Sequence, residues 1–369
     1  MNVYSIVDQL FVSNLPGTDA LSAVSIAGPF LAIALAVGTM IATGGCALVS
    51  NQMGEGQDEP TRQNFSFFML FSAVISAAFC MVGIVFRAPI LYAMGADASL
   101  YGLCETCAVP IFLLIPFAMA SIVLQIFFVA AGKPGLGFGL SIAGGVTNIV
   151  LDYVLIAVIP LGVVGAAYAT AAGYVLQAVG GVVFFAANAN RKGSLYFTRP
   201  RFDGKALLKA CSNGMSEMVG MLAVTVTMIA MNVILMRLSG PDGVAAAAII
   251  LSAQTVLPAS CAGYVQGIAP VVSYHYGAEN FGELRALYCA ALKTVAVMSV
   301  LTFAAAFPLA APIARLFADG SQAVVEMAVR GIFIFAAAFL LIGFSLFASG
   351  FFTALTTGKR PPFSPCSGR

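Results

Sequence analysis

Three acids fall inside long apolar runs of the sequence, Asp8, Asp152 and Glu217, and a fourth, Glu105, lies near the end of one. Holding an ionisable side chain in the middle of an apolar layer costs about 2.5–3.5 kcal/mol, so each needs a reason. Asp8 and Asp152 sit within about two helical turns of one boundary of their runs. Thr170 is equally deep in the run after Asp152, roughly 9–10 Å in at about 1.5 Å per residue. Asn148 precedes Asp152 by four residues and shares its helix face. Two carboxylates, an amide and a hydroxyl at one depth suit a small cation. Their oxygens coordinate Na+ directly, or two close carboxylates in a low dielectric hold one proton between them. The plainer reading gives each residue a separate backbone or inter-helix hydrogen bond; it is the stronger one for Thr170 taken alone and the weaker one for Asp152. Glu217, ten residues into its own run at 207–238, reads equally as a second proton or substrate carboxylate or as a structural acid capping backbone amides.

These residues need elements that bury them, and composition says which. Of 369 residues 60% are hydrophobic and 9% charged, with a mean hydropathy of +0.99; soluble domains carry about 25% charged residues. A soluble globular chain and a disordered one are both excluded. The net charge of +2 gives no footprint for nucleic acid. One histidine, His275, and no tryptophan leave no nucleophile–base or metal constellation, so the chain reads as no enzyme and needs no cofactor beyond a coupling ion, Na+ or H+. Cys104 and Cys107 form a single CxxC with no partner motif for zinc, and no GxxxxGK[ST] loop is present, so ATP is not the driver. The glycines fit close helix packing better.

A bilayer-crossing helix needs about 20 apolar residues. Nine runs meet this, at 20–48, 64–86, 106–131, 136–158, 163–187, 207–238, 243–272, 288–314 and 328–355, with a shorter one at about 2–13. The connection 188–205 holds Arg191, Lys192, Arg199, Arg201 and Lys205 and is expected to be cytoplasmic. Alternation then leaves only Arg87, Arg237, Arg315 and Arg330 outside, of 17 basic residues. The two sides of this loop repeat each other. Asp19-Ala-Leu-Ser-Ala-Val-Ser-Ile26 parallels Asp242-Gly-Val-Ala-Ala-Ala-Ala-Ile249, and Gly54-Glu-Gly56 parallels Gly277-Ala-Glu279. Both pairs are offset by 223 residues (242 less 19, 277 less 54). Parallel six-helix repeats follow, related by an axis along the membrane normal. The offset sends Asp8 to Met231, which places a cation site in the N-terminal half. It also sets the start of the first helix about 16 residues before Met1, and the second half shows four runs rather than six. The expected organisation is an N-terminal lobe at 1–187 with an incomplete first helix and a cytoplasmic linker at 188–206. A C-terminal lobe at 207–357 without its last two helices and an aberrant tail at 358–369 complete it.

In order along the chain, Tyr4-Ser-Ile-Val-Asp8-Gln-Leu-Phe11, Gly54-Glu-Gly56, Ala130-Ala-Gly-Lys-Pro134, Asn148-Ile-Val-Leu-Asp152-Tyr, Gly162-Val-Val-Gly165-Ala-Ala-Tyr-Ala-Thr170, Gly263-Tyr-Val-Gln266-Gly267 and Tyr276-Gly277-Ala form a series. With these the chain resembles the multidrug and toxic compound extrusion (MATE) transporters, in their DinF-like and related bacterial branches, over about 2–357. The resemblance implies an all-α, two-lobed, twelve-helix bundle, here cut short at both ends, with its cavity between the lobes. It implies a monomeric, multi-pass protein of the plasma or inner membrane, in contact with its lipids. The activity implied is antiport: amphipathic or cationic drugs and toxic compounds leave in exchange for Na+ or H+. The family's cation-binding residues carry over to Asp8, Asn148, Asp152 and Thr170, with no other metal. Glu217 fits the NorM-like glutamate poorly, and Tyr153 stands where many members have proline. The rival readings are a flippase for lipid-linked oligosaccharides, disfavoured by the scarcity of basic residues in the runs, and an inactive fragment.

Overall fold

The computed structural model describes residues 18–94, 101–159, 161–187, 195–317 and 322–355. Asp8, the short run around it and the tail at 358–369 lie outside these residues. The described chain is helical, with no strand among the described residues. The helices are α1 (Thr18–Gly54), α2 (Asp58–Val85), α3 (Arg87–Ala93), α4 (Tyr101–Ala130) and α5 (Pro134–Asp152), which continues into a π-helix (Tyr153–Val158). Then follow α6 (Val163–Ala187), α7 (Gly204–Val256), α8 (Ala259–Gly277), α9 (Phe281–Phe317) and α10 (Gln322–Ala354). Among the described residues eight segments are long and apolar enough to cross a membrane by length and composition, so the chain is an integral multi-pass membrane protein. The run at 207–238 is helical within α7 but is not among those eight.

One boundary differs from expectation. The apolar runs at 207–238 and 243–272 are separate in the sequence, yet α7 runs through residues 239–242 between them, and the chain breaks instead at Leu257-Pro258, just before α8. Proline inside a membrane helix is tolerated where neighbouring helices and local ladder adjustments serve the freed carbonyl. Pro258 stands at the break, where its missing N–H costs the chain no helical bond.

The connections follow local chemistry. Gly132, at φ +68°, ends α4, and Lys133-Pro134 opens α5 with proline in its first turn, where an amide hydrogen is dispensable. Gly56 ends α1 at φ +72°. Its repeat partner, Glu279, takes the same left-handed conformation at φ 53° after α8, so the duplication extends to a backbone angle. Asp203 caps α7, its carboxylate accepting from the amides of Lys205 at 3.0 Å and Ala206 at 3.1 Å.

At one end of the N-terminal half lies an aromatic core of Phe65, Phe68, Phe127, Phe128 and Phe185, all 2% exposed or less. The segment before α7 fastens to it. Phe197 stacks on Phe65 with centroids 5.3 Å apart, and Phe202 meets Phe67 edge-on at 5.5 Å. The Thr198 amide donates to Ser66 Oγ at 2.8 Å, and the Arg62 guanidinium lies 4.7 Å from the Tyr196 ring centre. At the opposite end, Arg87 pairs with Glu105, which accounts for that acid. Both cysteines of the CxxC are fully buried there.

Candidate functional site

Asn148 and Asp152 lie on consecutive turns of one face of α5, at 1% and 0% exposure. Their neighbour across the seam is α6, which brings Thr170 up to them. Asn148 Nδ2 donates to Thr170 Oγ1 at 3.4 Å, a long bond by usual geometry. That orientation leaves Asn148 Oδ1 without a hydrogen-bond partner among the described residues. A buried carbonyl oxygen left this way forfeits about 1–3 kcal/mol. Three of the four expected cation ligands thus meet at the α5–α6 seam, Thr170 by direct contact and Asp152 by shared face and complete burial. The donors are all hard oxygens, the set that a small cation takes. No cluster of three His, Cys, Asp or Glu side chains that could hold another metal occurs among the described residues.

The helix changes character right after Asp152. Residues Tyr153–Val158 wind as a π-helix, with the Ile159 amide reaching the Val154 carbonyl at 2.8 Å. Such insertions recur at functional sites because they turn side chains out of α-helical register. Gly165 at the start of α6 accommodates this widened turn: a Cβ there would lie 2.8 Å from the Leu155 carbonyl oxygen.

Glu217 is elsewhere. It lines a cavity of about 60 Å³ between the two halves of the chain, with Thr43 and Cys46 of α1 on one side and Gln266 of α8 and Thr353 of α10 on the other. Ser349 Oγ donates to Glu217 Oε1 at 3.2 Å, and one turn along, the Ser216 and Thr353 hydroxyls meet at 3.0 Å. The acid does not cap backbone amides; its partner is a side chain 132 residues away. Spacing along the chain carries no signal for Ser349 or Thr353, because their role depends on α10 folding back onto α7.

Below this cavity α1 and α8 cross backbone to backbone. A Cβ on Gly54 would fall on the Tyr274 carbonyl oxygen, and a Cβ on Gly277 would fall on the Asn51 carbonyl oxygen. The 223-residue offset relates Gly54 to Gly277 and also Asn51 to Tyr274. The contact is therefore a two-fold-related pair made by the repeat itself.

The profile of the MatE family matches residues 1–154 and 218–363. The multidrug export protein MepA of Staphylococcus aureus (strain NCTC 8325 / PS 47) is 24% identical over 358 residues, covering 97% of this chain and 78% of that protein. MepA of Staphylococcus saprophyticus is 22% identical over 360 residues, with coverages of 97% and 78%. Among solved structures, a MATE in complex with MaL6 superposes with a TM-score of 0.88 at 19% identity, covering 96% of this chain and 79% of the other. An outward-facing multidrug resistance MATE family transporter of the MOP superfamily gives 0.85 at 20% identity, with the same coverages.

Proposed function

The chain belongs to the MatE family of multidrug efflux transporters, and from this premise we propose that it is an antiporter. It expels amphipathic, cationic small molecules in exchange for Na+ or H+ moving inward, and works as a monomer in the cell membrane with the basic loop 188–205 in the cytoplasm. The observation that carries the coupling is the buried oxygen set at the α5–α6 seam: Asp152 and Asn148 at 0% and 1% exposure, with Thr170 in hydrogen-bond contact. Asp8, whose position lies outside the described residues, is the expected second carboxylate. One positive charge moving inward through about 100 mV releases about 2.3 kcal/mol, enough for about a 50-fold gradient of a neutral compound at one-to-one exchange. The ion must bind the two access states with different affinity, or nothing is transported. Glu217 supplies the acidic wall of the inter-half cavity, and no Lys or Arg lines that cavity among the described residues, which suits a cationic compound and not a pyrophosphate-linked lipid.

Efflux of ethidium from cells expressing the chain tests this. Asp152→Asn is expected to lower ion-driven efflux at least tenfold at the parental half-saturating ion concentration, with the protein still in the membrane at parental abundance. Efflux at the parental rate would remove Asp152 from the coupling.

A further inference from the structure

The polar lining of the α5–α6 seam does not stop at Thr170. Gln177 lies seven residues further along α6, about 10 Å nearer the Ala187 end at about 1.5 Å per residue. It is 4% exposed, and its Oε1 has no hydrogen-bond partner among the described residues. A glycine pair holds it there. A Cβ on Gly144 would collide with the Gln177 amide and lie 2.8 Å from the Gly173 carbonyl oxygen. A Cβ on Gly173 would lie 2.8 Å from the Gly144 carbonyl oxygen and 3.4 Å from Asn148 Cβ. Thr170, Asn148, the Gly144–Gly173 contact and Gln177 thus follow one another down the seam.

The series continues beyond Gln177. Its side chain borders a cavity of about 10 Å³ shared with Ser121 and Gln125 of α4 and with Gly137, close to the lower bound for one water molecule. Leu124, Phe128 and Leu140 complete its lining, and Gln125 Nε2 donates to Ser141 Oγ at 2.6 Å. Gly137 belongs to the first turn of α5, just after Lys133, so the cavity sits near the end of the bundle where the 195–203 segment docks. Leucine or methionine would fill the Gln177 position at no polar cost, whereas a buried unpaired amide oxygen costs about 1–3 kcal/mol.

We propose that Gln177, with Ser121 and Gln125, forms an inner station for the coupling cation, which passes there from the Asn148–Asp152–Thr170 pocket on its way to the Gly137 end of the bundle. The station takes a small hard cation. Na+ is held by the Gln177 carbonyl oxygen and the Ser121 hydroxyl; a proton crosses between the same groups. All these donors are neutral, so the ion is held weakly and leaves readily, the condition for conduction through successive sites. The carboxylate pocket binds and the amide station releases. This rests on the antiport reading.

The test uses the full chain in liposomes loaded with ethidium, driven in one arm by a Na+ gradient at fixed pH and in the other by a pH gradient without Na+. The arm that drives exchange identifies the ion. Gln177→Leu and Gly144→Ala, the second displacing the Gln177 amide, are each expected to lower the maximal exchange rate at least tenfold. The half-saturating ion concentration should stay within twofold, and Gln177→Glu, which puts a charge where a neutral amide releases the ion, should also lower the rate. Asp152→Asn, by contrast, should raise the half-saturating concentration. Parental rates in Gln177→Leu, or a shift in half-saturation matching that of Asp152→Asn, overturns the station while leaving antiport standing. A parent chain that is folded yet driven by neither gradient overturns the antiport reading and the station with it. Equal thermal midpoints for Gln177→Leu and the parent guard against misfolding as the cause.

Discussion

Asn51, Asn64, Asn148, Asp152 and Gln177 are buried in the N-terminal half, whereas the buried polar side chains described in the C-terminal half are the hydroxyls Ser273, Ser299 and Thr302. A hydroxyl can be served by its own helix, and Ser273 bonds the Ala269 carbonyl four residues back at 3.1 Å, with Ala354 O at 2.7 Å besides. An amide or carboxylate has more capacity than one helix can satisfy, so it needs a partner, water or an ion. The cores differ in the same sense. The N-terminal half packs phenylalanines, while α9 and α10 meet along seams containing Ala306, Ala310, Ala314, Ala328 and Ala336, all fully buried. Duplication reproduced the scaffold, including the Gly54 and Gly277 crossings, without reproducing the chemistry.

The largest contrast expected between the halves is in transport. Asp152→Leu should cost about 50-fold in the sustained gradient of a neutral drug, the factor one coupled charge supplies. Ser299→Ala combined with Thr302→Val should leave the gradient within measurement error. Equal losses from the two would end the division of labour. Next in size are the crossings. Gly54→Ala and Gly277→Ala each force a methyl group onto a carbonyl and should cost about 1–3 kcal/mol by overpacking, read as lowered thermal midpoints. Similar losses at the two positions would confirm the contact as symmetric, and a loss at only one would show that the halves do not share it. A smaller effect belongs to the turns. Glu279→Gly relieves a left-handed side-chain conformation and should stabilise by about 1 kcal/mol, while Gly56→Glu should cost about as much. Smallest is Glu105→Gln: the Arg87–Glu105 pair is partly solvent-exposed, and its loss should leave the thermal midpoint unmoved.

Much of this was legible in the chain itself. Hydropathy located the helices, the offset of 223 located the repeat, and shared depth picked out Asn148, Asp152 and Thr170 before any contact was known. Gln177 was not legible, because its burial depends on Gly144 in another helix and neither residue is unusual alone. Glu217 was visible as an acid in an apolar run, but its partner Ser349 was not, being set by how α7 and α10 pack. Tyr153 in place of proline left the helix beyond Asp152 open, and the π-helical winding there is a property of hydrogen-bond register that residue types do not encode. The boundary expected between the runs at 207–238 and 243–272 is bridged by one long helix, which breaks only at Leu257-Pro258.

The segment before α7 has a consequence for taking the molecule apart. Phe197 and Phe202 bind it to the N-terminal half, while Asp203 belongs to the first turn of α7. A peptide bond severed between Phe202 and Asp203 would leave the aromatic latch on one piece and the helix cap on the other. Two polypeptides made separately from that cut are expected to reassemble in one membrane, with the Gly54 and Gly277 crossings as their seam. Complementation between the pieces, lost when either glycine carries a side chain, would show that the halves recognise each other without a covalent tether.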